Sequence, residues 1–235
     1  IAQGTPLRME WLTAVWLAYR SRYGESWPVD VWAMNNYIAN ELPSKVGVGV
    51  PPGGTLALAK DYVTREGDSL PLFIEQARRM RQWMKDRGQQ NKPLIITEYG
   101  IQNSRHQLFN QDRVIEYLQR TVNWLLYATD PGLGLPADEG RLVQRFAWAS
   151  LNEPPHDYGH EPGANGNLFD PGTRAATRFA EHYARLACNA ARPTPTPSTT
   201  PNPPWIKREA EDGALVEPLH IEDRASASGC QYVTG

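Results

Sequence analysis

Long hydrophobic runs are missing from this chain: no stretch approaches the ~20 apolar residues that a helix needs to cross a bilayer, so no membrane-spanning helix is expected. No secretory leader opens the chain at Ile1 either. An excess of one charge is also lacking. Lys and Arg number 24 against 26 Asp and Glu, and no cluster of cations stands out as a nucleic-acid surface. Cysteine is down to Cys188 and Cys230, on opposite sides of a proline-rich tract, an arrangement that does not suggest a disulfide framework. They read as free thiols, or one of them as paired with a residue outside the chain. The His-Glu-x-x-His spacing of a zinc hydrolase is absent, and His156 with His160 in a Pro/Gly-rich loop is a weak substitute.

Aromatic residues, in contrast, are plentiful, with eight Trp and ten Tyr. They suit a bulky core first and sugar-stacking surfaces second. The most informative stretch is Lys92-Pro-Leu-Ile-Ile-Thr-Glu-Tyr-Gly100, a β-favouring apolar run that ends in a carboxylate, an aromatic and a glycine. It reads as a buried strand that delivers Glu98 to its carboxyl end, where α/β folds place their chemistry. Similar strand patterns flank it at residues 29–38 and 142–151, each separated from it by one helical pattern. That alternation is the grammar of parallel βα units.

The Ile95-Ile-Thr-Glu-Tyr-Gly100 run resembles the seventh strand of the retaining (β/α)8-barrel glycoside hydrolases of clan A, which include cellulases, mannanases and β-xylosidases. In that clan this strand ends in the catalytic nucleophile, which the resemblance assigns to Glu98. Phe146-Ala-Trp148 resembles strand eight, whose Trp floors the sugar subsite. Asp30-Val-Trp-Ala-Met-Asn-Asn-Tyr37 resembles strand six. Clan relatives often carry His-x-Tyr there; this chain has Asn35 at the His position and keeps Tyr37, so the resemblance implies a hydroxyl contact from Asn35 and a hydrogen bond from Tyr37 to the nucleophile, but no titrating imidazole. Tyr99 is expected to add to the subsite wall. The fold class implied is α/β, the second half of a TIM barrel comprising strands six to eight and their helices, over residues 1–191.

Along the chain, Ile1–Leu7 reads as the tail of a strand and a loop that enters a helix at Thr5-Pro6, with Met9, Leu12, Val15, Trp16 and Tyr19 on one face and Gly24 as its stop. So abrupt a first element is expected of a chain that begins inside something larger. Val46–Gly54 is a turn-rich insertion among the active-face loops. A helix capped by Asp68 or Ser69 follows, with Phe73, Ala77, Met80 and Met84 inward and Gly88 as stop; its Arg78, Arg79, Arg81, Lys85 and Arg87 are expected on a solvated face. The next helix starts near Asp112, with Val114, Leu118, Val122 and Leu125 inward, and a closing helix carries Phe179, Tyr183 and Leu186. Asn152-Glu153-Pro154 spells the clan's strand-four acid/base motif, yet it follows the nucleophile strand instead of preceding it. It is therefore read as a strand-eight loop that matches the motif by accident.

Residues 192–205 alternate Pro and Thr, a composition that cannot pack a core and forms an extended spacer. The tract resembles the linkers of secreted bacterial polysaccharide hydrolases, which implies an extracellular location. Residues 206–235 resemble the first strands of calcium-binding β-sandwich carbohydrate-binding modules of the family six and thirty-five type, in which Glu209 and Glu211 correspond to the pair that holds a structural calcium. About thirty residues are too few to close such a sandwich.

The expectation is thus a secreted retaining β-glycoside hydrolase acting on an oligo- or polysaccharide, with no cofactor for catalysis, no nucleic-acid or membrane partner, and its acid/base on a strand upstream of Ile1. Two rival classes stand beside it. One is a non-catalytic carbohydrate-binding or surface protein on a barrel scaffold; the other is a metal-dependent hydrolase using His106, His156 and His160.

Overall fold

The computed structural model describes residues 1–101, 109–153, 166–189, 220–223 and 231–234. His106, His156, His160, the Pro/Thr tract, Glu209 and Glu211 lie outside the described residues. The chain divides into two compact units, Ile1–Asn167 and Leu168–Gly235.

The first unit is mixed α/β, and its sheet holds three parallel strands: β1 (Trp32–Asn35), β2 (Leu94–Tyr99) and β3 (Arg145–Trp148), in the order β1-β2-β3. Each pair is linked through a helix, α2 (Leu70–Lys85) between β1 and β2 and α3 (Gln111–Tyr127) between β2 and β3, while α1 (Pro6–Tyr23) precedes β1. Parallel strands need such crossovers because a hairpin cannot bring the chain back in the same direction. Main-chain bonding continues beyond β1: Ile1 donates to the Ala33 carbonyl at 3.2 Å and accepts from the Asn35 N–H at 2.8 Å. Bonds from one residue to both neighbours of its partner are the parallel-ladder pattern, with Ile1 opposite Met34. No closed barrel and no β-sandwich is formed by the described residues.

Local sequence chemistry explains the helices. Thr5 accepts from the Arg8 N–H at 3.4 Å, Pro6 fills the first turn, and Gly24 ends α1 at φ 74°, its N–H bonded to the Arg20 carbonyl. At the head of α2 neither capping candidate makes a side-chain cap. Ser69 makes no such bond, and Asp68 is engaged by Arg113 of α3, whose Nη2 lies 2.8 Å from Oδ1.

Three helices cover one face of the sheet. Trp16 of α1, Trp32 of β1 and Trp83 of α2 meet with centroids 5.0–6.1 Å apart. Phe73 of α2 packs on Tyr99 of β2 at 5.4 Å and on Tyr117 of α3 at 6.3 Å. Such tilted and edge-on contacts add about 0.5–1.5 kcal/mol per pair to area burial. Trp32, Met34, Leu94 and Ile96 point into this layer, while Ala33, Thr97, Arg145 and Ala147 on the opposite face are exposed.

Within the basic run of α2, Lys85 lies on the solvated face expected of it, and the arginines depart from it. Arg81 is fully buried and donates to the Leu142 carbonyl at 2.6 Å and the Lys92 carbonyl at 3.0 Å, and burial pushes its guanidinium down to about 10. Arg78 pairs with Asp130, Arg79 with Glu75 and the Gly4 carbonyl, and Arg87 stacks 4.4 Å above the Trp83 ring. Arg81 and Arg78 tie the segments that lead into β2 and β3 to the helix layer. Amphipathic counting missed this because a guanidinium is buried comfortably once carbonyls surround it.

In the second unit, α4 (Arg178–Asn189) begins after Thr177, which accepts from the Ala180 N–H at 3.1 Å, and Phe179 is fully buried. Strands β4 (His220–Asp223) and β5 (Gln231–Thr234) pair antiparallel, His220 opposite Thr234. No helix among the described residues is long and apolar enough to cross a membrane.

Candidate active site

Glu98 occupies the penultimate position of the central strand and is exposed, beside Thr97, which is exposed as well. Strict alternation would put Glu98 on the buried face with Leu94 and Ile96. The register slips on both sides instead, between Met34 and Asn35 against β1 and between Ile96 and Tyr99 against β3. Two consecutive outward residues result, and Tyr99 turns inward. Such irregularities re-aim side chains at the ends of strands. Gly100 follows for a steric reason: a Cβ there would lie 2.5 Å from the Ala149 carbonyl oxygen.

Two of the residues expected around Glu98 are there. Asn35 Nδ2 donates to Glu98 Oε2 at 3.3 Å, and the Tyr37 hydroxyl donates to the same oxygen at 3.4 Å. Both bonds are long for a charge-assisted pair. They converge on Oε2 and leave Oε1 without a hydrogen bond from the described residues. Burial raises the Tyr37 hydroxyl well above the ordinary phenol range, and the Glu98 charge and hydrogen bond add to it, followed by the charge of Glu153. Tyr37 therefore remains a donor at any pH at which the fold is intact.

Partners that pattern reading did not find hold these donors. Thr97 Oγ1 donates to Asn35 Oδ1 at 2.7 Å, which turns the amide nitrogen toward the carboxylate. Gln76 of α2 donates to the Tyr37 carbonyl at 3.0 Å while accepting from the Gly4 N–H at 2.9 Å. Asn36, between the two donors, bonds the Glu98 carbonyl through its N–H at 2.8 Å and the Phe73 carbonyl through its side chain at 3.1 Å. The Thr-x-x-Gly run offered Thr97 as a cue; nothing in the sequence marked Gln76.

Tyr99 and Trp148 require correction. Tyr99 is fully buried on the helix side, edge-on to Trp148 at 5.0 Å. Trp148 is 7% exposed, lies 6.3 Å from Tyr117 of α3, and donates its indole N–H to the Gly166 carbonyl at 2.7 Å. Both rings face the helix layer: Tyr99 because the slip that turns Glu98 outward turns it inward, and Trp148 because the regular alternation of β3 puts it on the face of Phe146, away from Arg145 and Ala147. They pack the core under the site and do not wall it.

The Val46–Gly54 insertion is docked on α1. Arg8 donates to the carbonyls of Val48, at 2.8 Å, and Gly49, and its Nε lies 3.2 Å from Glu41. Glu41 is fully buried and also accepts from the Thr5 hydroxyl at 2.6 Å and the Lys60 N–H at 3.0 Å. The loop thus leaves β1 under the control of a buried ion pair that sequence reading overlooked. A cavity of about 410 Å³ beside it is lined by Ile1, Arg8, Trp11, Val50 and Pro51, and does not include Glu98.

Comparisons of the chain with models of known families, with curated proteins and with solved structures return no match.

Proposed function

We propose that this protein is a secreted retaining β-glycoside hydrolase in which Glu98 is the nucleophile. The reading rests on the resemblance of the Thr97-Glu-Tyr-Gly100 strand end to clan A, and one observation carries it: Glu98 stands exposed at the carboxyl end of a central parallel strand, one oxygen held by Asn35 and Tyr37 and the other without a hydrogen bond from the described residues. The bare sheet face and the parallel-ladder bonding of Ile1 support the wider view that β1, β2 and β3 are strands six to eight of a (β/α)8 barrel.

On this reading Glu98 Oε1 attacks the anomeric carbon, the glycosidic C–O bond breaks, and the departing oxygen takes a proton from a second carboxyl group about 5–5.5 Å away. Asn35 and Tyr37 keep Oε2 in place and stabilise the carboxylate before attack. Water then displaces Glu98 with the second carboxyl as base, and the sugar leaves with its configuration retained. The clan's strand order puts that second group on strand four, upstream of residues 1–235. The Pro/Thr tract acts as a spacer in the extracellular medium, and residues 206–235 open a carbohydrate-binding module whose Glu209 and Glu211 would hold a calcium ion.

In the full-length protein, Glu98→Ala abolishes turnover of an activated aryl β-glycoside, and azide restores part of it as an α-glycosyl azide, because the anion attacks the face that Glu98 vacates. An alanine variant within tenfold of the parent removes Glu98 from the role.

A further inference from the structure

Past the end of β1 the chain is held by buried amide side chains on both sides of Tyr37. Gln76 of α2 donates Nε2 to the Tyr37 carbonyl at 3.0 Å and accepts the Gly4 N–H through Oε1 at 2.9 Å. Gln3 donates Nε2 to the Ala39 carbonyl at 3.0 Å and accepts the Ala39 N–H through Oε1 at 3.2 Å. Both glutamines are buried, and each spends donor and acceptor on main-chain groups. Gly4 lets the two approach: a Cβ there would lie 2.2 Å from the Gln76 carbonyl oxygen, and Arg79 of α2 takes the Gly4 carbonyl at 2.7 Å. Residues 3 and 4 and one turn of α2 thus form a single frame around Tyr37–Ala39.

The frame takes over where the sheet stops. Pairing of β1 with β2 ends at Asn35 opposite Glu98, and the last main-chain bond between them runs from the Asn36 N–H to the Glu98 carbonyl. Tyr37 lies beyond it, so the ladder no longer fixes its carbonyl, and the Gln76 amide does. The hydroxyl at the other end of the residue meets Glu98 Oε2 at 3.4 Å, close to the outer limit of a hydrogen bond. A small displacement of the Tyr37 main chain away from the sheet is therefore enough to break that bond.

We propose that Gln76 and Gln3 are positioning residues of the Glu98 site, which act through Tyr37 by fixing its main chain where the hydroxyl reaches the carboxylate. The proposal rests on the glycosidase reading and deepens it, by extending the site to two residues that touch neither Glu98 nor its direct donors' side chains. A donor aimed at a reacting carboxylate is only as well placed as the bonds that hold its backbone, and a misplacement remote from the chemistry is felt in turnover.

The test is a kinetic double-mutant cycle on the full-length protein with an aryl β-glycoside, kcat being counted per native molecule from the folded fraction in a denaturant melt. Gln76→Met keeps the volume and removes both hydrogen-bonding groups. It lowers kcat about tenfold with little change in KM, in line with loss of a bond to a charged group. Gln3→Met moves kcat in the same direction. In the Tyr37→Phe background, where there is no hydroxyl left to place, either substitution lowers kcat by less than about twofold. Where Gln76→Met does not fold, Gln76→Asn, whose shorter amide reaches one main-chain partner and not both, takes its place in the cycle with the same expected coupling. A frame that serves stability alone leaves kcat per native molecule unchanged, or lowers it by the same factor with and without the Tyr37 hydroxyl. Either result overturns this inference and leaves the glycosidase reading standing. A full-length parent that turns over no β-glycoside overturns that reading and this inference with it.

Discussion

The Tyr37 hydroxyl reaches Glu98 Oε2 at 3.4 Å from the neighbouring strand end, beyond the last residue of β1, so the carboxylate is held from outside its own strand. Removing that donor tests its role. With an aryl β-glycoside and the full-length protein, Tyr37→Phe is expected to lower kcat about ten- to hundredfold with little change in KM, since a bond to a charged group contributes roughly 1.5–3 kcal/mol. An unchanged kcat would show that Asn35 alone suffices.

Alkaline pH should unfold the first unit before neutral or mildly acidic pH does. Burial raises the hydroxyls of Tyr37 and Tyr117 above the phenol range and that of Tyr62 to about 12. A folded value above the unfolded one, near 10, gives stability that is complete below about pH 10 and is lost as pH rises toward the folded values. Melting temperature followed from pH 8 to 12 should hold and then fall. A flat profile to pH 12 would contradict the burial of these rings.

Tyr117 offers a sharper version. Its hydroxyl is buried with no hydrogen-bond partner among the described residues. Tyr117→Phe should leave stability at pH 7 unchanged or higher, and should soften the alkaline decline. A loss above about 1 kcal/mol in urea at pH 7 would mean that the hydroxyl is satisfied.

The Arg8–Glu41 pair should behave as a buried ion pair whose halves need each other. Its side chains are 10% and 0% exposed. Glu41→Gln alone or Arg8→Met alone should cost about 3–5 kcal/mol, because each leaves an uncompensated buried partner, and the double variant should cost less than the sum. Additive losses in denaturant melts would show the two to be independent.

Residues 1–235 expressed alone should hydrolyse no glycoside and should self-associate. One sheet face carries exposed Ala33, Thr97, Arg145 and Ala147, and β3 pairs only with β2 among the described residues. Open edges and faces invite pairing with a second copy. Sedimentation that shows a stable monomer would oppose this, and so would turnover of an unactivated polysaccharide abolished by Glu153→Gln.

The sequence made the order of elements visible because strand and helix patterns alternate cleanly, and Thr5, Pro6, Gly24 and Gly88 punctuate the helices where the backbone needs them. Asn35, Tyr37 and Glu98 were legible through their resemblance to strand ends. Side-chain direction was not. A slip in register between Ile96 and Tyr99 reverses the parity of the strand's last residues, and no pattern over so few positions encodes it. Tyr99, read as a sugar contact, packs the core for that reason, while Trp148, read likewise, packs there by the ordinary alternation of β3. Arg8 and Glu41 escaped notice, and Arg81 was expected on a solvated face, because the partners of these buried charges lie 11 to 63 residues away in the chain.

The retaining mechanism leaves a covalent trace, and that trace bears most directly on the role of Glu98. The full-length protein is incubated with a 2-deoxy-2-fluoro glycoside bearing a good leaving group, which slows release of the glycosyl-enzyme, and is then digested and weighed peptide by peptide. The expected result is one glycosyl increment on the peptide containing Glu98, absent from the Glu98→Gln variant. Turnover of the parent glycoside with the label on another carboxylate, or with no label at all, would contradict the assignment.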